Sequence, residues 1–355
     1  MTRGDPDGVW STAPDSCKPH CEIAVELSCL ESDLKDEVIH VLLSINTVNV
    51  PSFNPDKDIP DLSGKVILVT GGNVGLGKQT ILQLSKHNSA RNFLAVRTKS
   101  KALAAIEDIC KAAPDAAPIT YRNLDLTSFD SIKKAVTDFH AQSQQLQILI
   151  NNAAIMATPA GTTNEGYEIQ FGTNHMGHAL LTKLLLPTLK KTASATTPPK
   201  DVRIINIASS EETRSPATNT YEFDKLKTDM ASTSTLIRYG ISKVANIHHS
   251  RALSRSHQDI RSISLHPGIV NTNLKTGMGA SWPLMKPLLP LISLLSTSVW
   301  SGTKNQLWAA VSPDAKSGEF YFPVGVTGKG SKQSRDKALE DALWDWTEKE
   351  LQGHA

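Results

Sequence analysis

The sequence has 355 residues, of which 39% are hydrophobic and 21 are glycine. This composition is close to that of soluble globular proteins and excludes a disordered or fibrous chain. The 37 basic and 35 acidic side chains give a net charge of only +2, without the basic excess typical of a nucleic-acid-binding protein.

The first fifty residues differ in charge from the rest of the chain. They carry nine acidic and three basic side chains, so the remainder has a charge of +8. They show one weakly helical pattern and no apolar run near the start, so no secretory signal is predicted. We predict that residues 1–58 form an N-terminal extension, either poorly structured or a single helix.

The number and position of the cysteines indicate whether the protein lies in an oxidising or a reducing compartment. Three of the four, Cys17, Cys21 and Cys29, lie in the first thirty residues, and they do not make a disulfide framework. Cys17, His20 and Cys21 match no zinc spacing, so no metal is predicted. We expect a reducing compartment, either the cytoplasm or the cytosolic face of a membrane.

From Lys65 onward, apolar runs alternate with helical patterns. Continuous apolar strands between helices are typical of a parallel sheet that is covered on both faces, as in a doubly wound α/β fold. We predict one catalytic domain over 59–330, followed by a C-terminal helix in 331–355. The predicted strands are 65–70, 92–96, 119–122, 146–151, 202–208, 261–266 and 319–323, and the main predicted helices are 76–86, 101–112, 128–142, 168–189 and 236–254.

A glycine-rich turn follows the first predicted strand. Gly71, Gly75 and Gly77 have the spacing GxxxGxG and precede a predicted helix. Glycines here allow the backbone to approach a pyrophosphate closely, and the helix N-terminus favours its negative charge. The pattern predicts dinucleotide binding, and the alternative is a tight turn without a ligand.

The second predicted strand ends in Arg97, where a dinucleotide site that prefers NAD has an acidic residue. A guanidinium pairs well with a 2′-phosphate, whereas a carboxylate repels it. We therefore expect NADP(H) rather than NAD(H). The alternative is a solvated arginine at the end of a strand.

Tyr239 and Lys243 are four residues apart in a predicted helix, which places both side chains on one face. A phenol has a pKa of about 10, so a neighbouring cation is needed for it to exchange protons near neutrality. The alternative is a surface Tyr/Lys pair.

Seven segments in the same order resemble the short-chain dehydrogenase/reductase family. The resemblance covers roughly residues 62–325, and the retinol-dehydrogenase-like members, which include many fungal reductases, look most similar. The segments are TGGNVGLG at 70–77, LDL at 124–126, NNAA at 151–154, NHMGH at 174–178, NIASS at 206–210, YGISK at 239–243, and Pro267-Gly268 with Thr272.

This resemblance implies a role for several side chains. Tyr239 would be the general acid/base, Lys243 would lower its pKa and hold the nicotinamide ribose, and Ser209 would bind the substrate carbonyl. Asn174 would hold a water that connects Lys243 to solvent. The implied cofactor-binding residues are Gly71, Asn73, Gly75, Leu76, Gly77, Arg97, Asp125, Asn152, Tyr239, Lys243, Val270 and Thr272.

Two positions depart from the family pattern or leave a choice open. Ala154 stands where the family usually has glycine, and we expect the turn to adjust to the methyl group. Both Ser209 and Ser210 follow the fifth strand, and counting from Asn206 favours Ser209 as the catalytic serine.

Three histidines and one apolar segment complete the set of candidates. We expect His175, His178 and His266 to pack rather than to act in catalysis. Residues 273–300 correspond to the family's substrate lid, and the stretch Ser281–Trp300 within it is apolar and interrupted by prolines. This character favours a lipophilic substrate or contact with a membrane surface, and the alternative is ordinary core helices.

The resemblance therefore implies an NADP(H)-dependent oxidoreductase that interconverts a carbonyl and an alcohol on a lipophilic small molecule of retinoid, steroid or polyketide type. Its fungal members suggest secondary metabolism. The alternatives are an NAD-dependent alcohol dehydrogenase and a catalytically silent regulatory protein that binds cofactor. No nucleic-acid partner is expected, and peripheral membrane contact and a homodimer are left open.

Overall fold

A computed structural model describes residues 51–195, 201–268, 270 and 297–354. Seven parallel strands form one sheet in the order β3-β2-β1-β4-β5-β6-β7, with helices on both faces. This is the doubly wound fold that the sequence predicts. The strands are β1 (Val66–Thr70), β2 (Arg91–Val96), β3 (Ile119–Asn123), β4 (Ile148–Asn151), β5 (Arg203–Ile207), β6 (Arg261–Leu265) and β7 (Phe320–Tyr321).

The helices begin and end close to the predicted bounds where prediction and structure can be compared. One continuous helix from 169 to 193 contains a π-helical stretch, Gly172–Met176, between α5 and α6. The helices are α1 (Pro55–Asp58), α2 (Gly75–Ser85), α3 (Lys99–Ala112), α4 (Phe129–His140), α5 (Ile169–Phe171), α6 (Gly177–Ala193), α7 (Thr235–Ser256), α8 (Val299–Val311) and α9 (Lys337–Glu350).

The sheet separates two apolar cores. Residues Ile67 and Val69 of β1 face one core, and Val66 and Leu68 face the other, so all five residues of the strand are buried. Alternation with both faces covered explains why the strands read as continuous apolar runs.

Helix α8 was not predicted from the sequence. Its buried face includes Thr303, Asn305 and Gln306 as well as Leu307 and Trp308, so its apolar periodicity is weak. The polar side chains are used internally: the Asn305 amide donates to the carbonyls of His266 and Tyr321, at 2.8 Å and 3.1 Å.

The carboxyl end of α8 is held by a buried arginine. Arg203, 2% exposed, pairs with Asp201 at 2.6 Å and donates to the carbonyls of Ala309 and Ser312 at 2.9 Å and 2.8 Å. Carbonyls at a helix C-terminus lack partners within the helix, so a cation there is favourable. Arg203 starts β5 and therefore lies at the amino edge of the sheet.

The packed body begins before residue 59, the predicted domain boundary. Phe53 and Ile59 belong to the core, and Pro55 is buried. At the other end of the chain, α9 lies in the predicted C-terminal region and packs on α7. The predictions for residues 1–50 and 273–296 lie outside the described residues.

Candidate active site

The sequence-predicted site residues follow successive strands of the sheet. Asn152 follows β4, Ser209 follows β5, and Tyr239 and Lys243 lie on α7. In parallel α/β sheets, ligands bind outside the carboxyl ends of the strands. The structure therefore gathers residues up to 91 positions apart at one edge.

The glycine-rich turn is tight enough to require its glycines. Gly71 and Gly75 have φ angles of +68° and +52°, in the left-handed region that favours glycine. A Cβ atom on Gly77 would lie 2.4 Å from the Gly71 carbonyl oxygen and 2.6 Å from Asn152 Nδ2. The first turn of α2 thus packs directly on the end of β1.

The same turn fits the phosphates of a dinucleotide. Helix α2 has no side-chain cap from Val74 and no acidic residue in its first turn. The first N–H groups of a helix lack partners within it, and with the helix dipole they favour an anion. Gly75, Leu76 and Gly77 would offer these N–H groups to the pyrophosphate.

One hydroxyl joins the turn to the end of β4 and to α6. The buried Thr70 Oγ1 accepts the N–H groups of Asn152 and Ala153, both at 2.9 Å, and lies 2.9 Å from His178 Nε2. His178 Nδ1 lies 3.0 Å from the Asn174 carbonyl oxygen and must donate to it, so Nε2 accepts the Thr70 hydroxyl proton. Burial lowers the pKa of His178 to about 4, which agrees with this neutral form.

Asn174 lies in the π-helical stretch and holds the loop after β4. Its Oδ1 accepts from Ile155 N at 2.9 Å, and its Nδ2 donates to Ile155 O and to Ser242 Oγ, both at 3.0 Å. Single π-type turns inside α-helices occur frequently at functional sites. The side chain is thus engaged by the loop and by the residue that precedes Lys243.

Tyr239, Ser209 and Lys243 form one buried group. Ser209 Oγ accepts the N–H of Glu211 at 3.2 Å and lies beside the Tyr239 hydroxyl, and Lys243 Nζ lies 5.3 Å from the centre of the Tyr239 ring. Lys243 Nζ donates to the Ile207 carbonyl at 2.9 Å. Ser210, the alternative serine, instead has its Oγ 3.4 Å from His266 Nε2.

Burial controls the protonation of this group. It raises the pKa of Tyr239, with a further contribution from the Glu211 carboxylate, while the hydrogen bond with Ser209 acts in the opposite direction. Burial lowers the pKa of Lys243 to about 7. A phenolate on Tyr239 and an ammonium on Lys243 would stabilise each other, so the two groups are suited to exchange a proton as a unit.

Arg97, Asp125 and Val270, three further predicted cofactor residues, lie around this edge. Arg97 is exposed directly after β2, and the Asp125 carboxylate caps its own turn by accepting from Thr127 N at 2.9 Å. Val270 is buried and pairs with Thr297 in an isolated parallel bridge. Thr272 lies outside the described residues.

The three candidate histidines are buried. His175 Nε2 lies 3.1 Å from Thr347 Oγ1 of α9, and His266 packs edge-on against Phe322.

Within the residues that the structure describes, no three His, Cys, Asp or Glu side chains are grouped to hold a metal ion, and no helix is long and apolar enough to cross a membrane.

The sequence did not single out Asn246 or the link between His178 and Thr70. Asn246 Nδ2 donates to the Ile207 carbonyl at 3.1 Å, so this carbonyl accepts from Asn246 and Lys243 together. The spacing YxxxKxxN placed Asn246 on the helix face of Lys243 and could have indicated it. The contact between His178 and Thr70 spans 108 residues and has no local signal.

A glycine turn that presents a helix N-terminus beside a buried Tyr, Lys and Ser group defines a dinucleotide-dependent oxidoreductase of the doubly wound class. Residues 65–222 match the family model described as short chain dehydrogenase. The chain is 36% identical to a short-chain dehydrogenase/reductase of Armillaria gallica, over 84% of this chain and 93% of that one. It is also 33% identical to human retinol dehydrogenase 13, over 80% of this chain and 83% of that one.

A solved structure has a similar fold. A putative uncharacterized protein from Mycobacterium paratuberculosis superposes with a TM-score of 0.64 and 26% identity, covering 84% of this chain and 97% of that one. The chain therefore belongs to the short-chain dehydrogenase/reductase family, as the resemblance in its motifs predicted. Members of this family are oxidoreductases that use NAD(P) and act on small molecules.

The Thr70 hydroxyl gives a direct test of the turn. Thr70→Val keeps the shape but leaves the Ala153 N–H and His178 Nε2 without their hydroxyl partner, at a cost of ~1–3 kcal/mol for each buried group. We expect a lower Tm and a Kd for NADPH that rises about tenfold, as measured by fluorescence titration. Thr70→Ser keeps the hydroxyl and should bind NADPH as wild type does. Equal affinities in the two variants would contradict this role.

Proposed function

We propose that the protein is an NADP(H)-dependent oxidoreductase that interconverts a carbonyl and an alcohol on a lipophilic small molecule. The observation that carries this proposal is the buried group of Tyr239, Ser209 and Lys243, placed at the same sheet edge as the glycine turn. A phenol beside a basic amine and a hydroxyl is the arrangement that delivers a proton to a carbonyl oxygen.

A nicotinamide cofactor held at the glycine turn would supply a hydride to the carbonyl carbon. Tyr239 donates its proton to the developing alkoxide, and Ser209 holds the same oxygen by a hydrogen bond. Protonated Lys243 stabilises the resulting phenolate. Asn174 would hold the water through its backbone carbonyl oxygen, because its side-chain amide is engaged by Ile155 and Ser242.

Three features at the end of β2 favour NADP(H). Arg97 is exposed, and α3 begins with Lys99 and has Lys101 in its first turn, without an acidic residue there. Acidic residues are the usual stabilising neighbours of a helix N-terminus, so three cations there favour an anionic ligand such as a 2′-phosphate. Asp125 lies after the adjacent strand, where the adenine would be bound.

The substrate class rests on two observations. The stretch Ser281–Trp300 is apolar, and most of it lies in the segment that connects Val270 to Thr297, whose backbones pair. One relative, retinol dehydrogenase 13, is named for a lipophilic alcohol. Contact with a membrane surface and a homodimer stay predictions.

Tyr239→Phe tests the acid/base assignment. The variant loses the titrating hydroxyl and little else, so kcat for carbonyl reduction should fall about 10²-fold or more while the Kd for NADPH stays within about threefold. Tyr221→Phe is the matched control, because it removes another buried hydroxyl, which contacts His248 at 2.9 Å. The control should keep wild-type kcat.

A Tyr239→Phe variant that kept more than about a tenth of wild-type kcat would show that another group moves the proton. A wild-type protein that binds NADPH but consumes none with aldehydes, ketosteroids, retinal or polyketide-like ketones would favour the silent regulatory alternative.

Arg97→Asp tests the choice of cofactor. It replaces a phosphate partner by an acceptor for ribose hydroxyls, so the ratio of kcat/KM for NADPH to that for NADH should fall about tenfold or more. Arg91→Asp makes the same charge change at the opposite end of β2 and should leave the ratio unchanged. An unchanged ratio in Arg97→Asp would instead point to Lys99 or Lys101, and a wild-type preference for NADH would favour the NAD-dependent alternative.

A further inference from the structure

A buried ion pair lies one residue from Tyr239. Arg238 and Glu168 are 4% and 0% exposed, and Arg238 Nη1 donates to Glu168 Oε1 at 2.6 Å. Glu168 also accepts from Phe171 N at 2.6 Å and donates its own N–H to the Leu226 carbonyl at 2.9 Å. Burial raises the pKa of Glu168, and the hydrogen bonds from Phe171 N and Arg238 oppose this shift. Two partners that lower this pKa also involve the backbone: one is the N–H of Phe171, and the other, Arg238, donates to the Thr158 carbonyl.

The pair reaches the loop that follows Asn152. Arg238 Nη2 and Thr235 Oγ1 both donate to the Thr158 carbonyl, at 3.1 Å and 2.8 Å. One residue earlier, Ala157 is fully buried with a φ of +52°. A left-handed conformation is unfavourable for alanine and persists only where its surroundings impose it.

Gln170 completes the group. It is fully buried, its Oε1 accepts the N–H of Ala157 at 2.9 Å, and its Nε2 donates to the Thr235 carbonyl at 2.9 Å. In an α-helix the carbonyl of residue 235 also accepts the N–H of residue 239. Gln170 therefore contacts, through one side chain, both the strained loop and the helical turn that carries Tyr239.

We infer that Glu168, Gln170 and Arg238, which we name the loop clamp, are positioning residues that set the distance between Tyr239 and loop 153–158. The inference rests on the proposed function and extends it. The loop begins at Asn152, beside the glycine turn, and is held at Ile155 by Asn174 and at Ala157 and Thr158 by the loop clamp. The clamp therefore fixes the proton donor relative to the cofactor turn.

The amino edge of the sheet offers matched controls for the clamp. Arg203 is an equally buried arginine that pairs with one carboxylate and donates to carbonyl oxygens. Gln147, 2% exposed, accepts the N–H of Val66 on its Oε1 at 2.7 Å. Both lie at the opposite end of the strands from Tyr239, so their loss removes the same kind of contact without touching the site.

The kinetic test compares Arg238→Met with Arg203→Met well below both melting temperatures. Both variants should have a lower Tm, but only Arg238→Met should lose kcat, by about 20-fold or more, because small displacements of reacting groups are costly. Its Kd for NADPH should stay within about threefold, since the glycine turn is unchanged. Arg238→Lys keeps the charge and should recover part of kcat, and it carries the test if Arg238→Met does not fold.

The second arm needs no turnover. In Gln170→Leu, hydrogen exchange of the peptide covering 153–158 should accelerate about tenfold or more, because Ala157 N–H loses its acceptor. Gln147→Leu should leave that peptide unchanged. Unchanged exchange in Gln170→Leu, or equal losses of kcat in Arg238→Met and Arg203→Met, would overturn the inference. If the wild-type protein reduces no carbonyl, the proposed function fails, and the exchange arm still decides whether the clamp holds the loop.

Discussion

The site depends on the carbonyl oxygen of Ile207, the last residue of β5. It accepts hydrogen bonds from Lys243 Nζ and Asn246 Nδ2, at 2.9 Å and 3.1 Å, so both of its lone pairs are used. Lys243 is 1% exposed, and a buried amine without a partner would be costly. This carbonyl therefore determines where α7 lies on the sheet edge, and with it where Tyr239 lies relative to Ser209.

Buried polar contacts connect the elements at both edges of the sheet. At the carboxyl edge, Thr70, His178 and the loop clamp connect β1, β4, α6 and α7 through side chains that are all buried. At the amino edge, Arg203 donates to carbonyl oxygens at the carboxyl end of α8. Buried polar groups that are fully paired define a single arrangement more strictly than apolar packing, because each unpaired alternative costs free energy.

Local patterns were sufficient to predict much of the fold and part of the site. Apolar runs indicated the strands, the glycine spacing indicated the turn after β1, and the helical spacing placed Tyr239 and Lys243 on one face. Helix α8 was missed because Asn305 and Gln306 on its buried face break the apolar period. The loop clamp could not be predicted, because Gln170 and Arg238 act on residues 65 and 80 positions away, and only the fold brings them together.

In the proposed reaction, Tyr239 gives a proton in reduction and takes one in oxidation, and protonated Lys243 stabilises the phenolate. The most direct measurement is the pH dependence of kcat in both directions on one carbonyl and alcohol pair. Reduction needs the protonated phenol, so kcat should fall as the pH rises through the apparent pKa of the pair; oxidation needs the deprotonated pair, so kcat should fall as the pH falls through it. We expect these opposite dependences in the wild-type protein and their loss in Tyr239→Phe. If kcat fell on the same side of the apparent pKa in both directions, or if Tyr239→Phe kept the wild-type pH profiles, Tyr239 would not be the group that exchanges the proton.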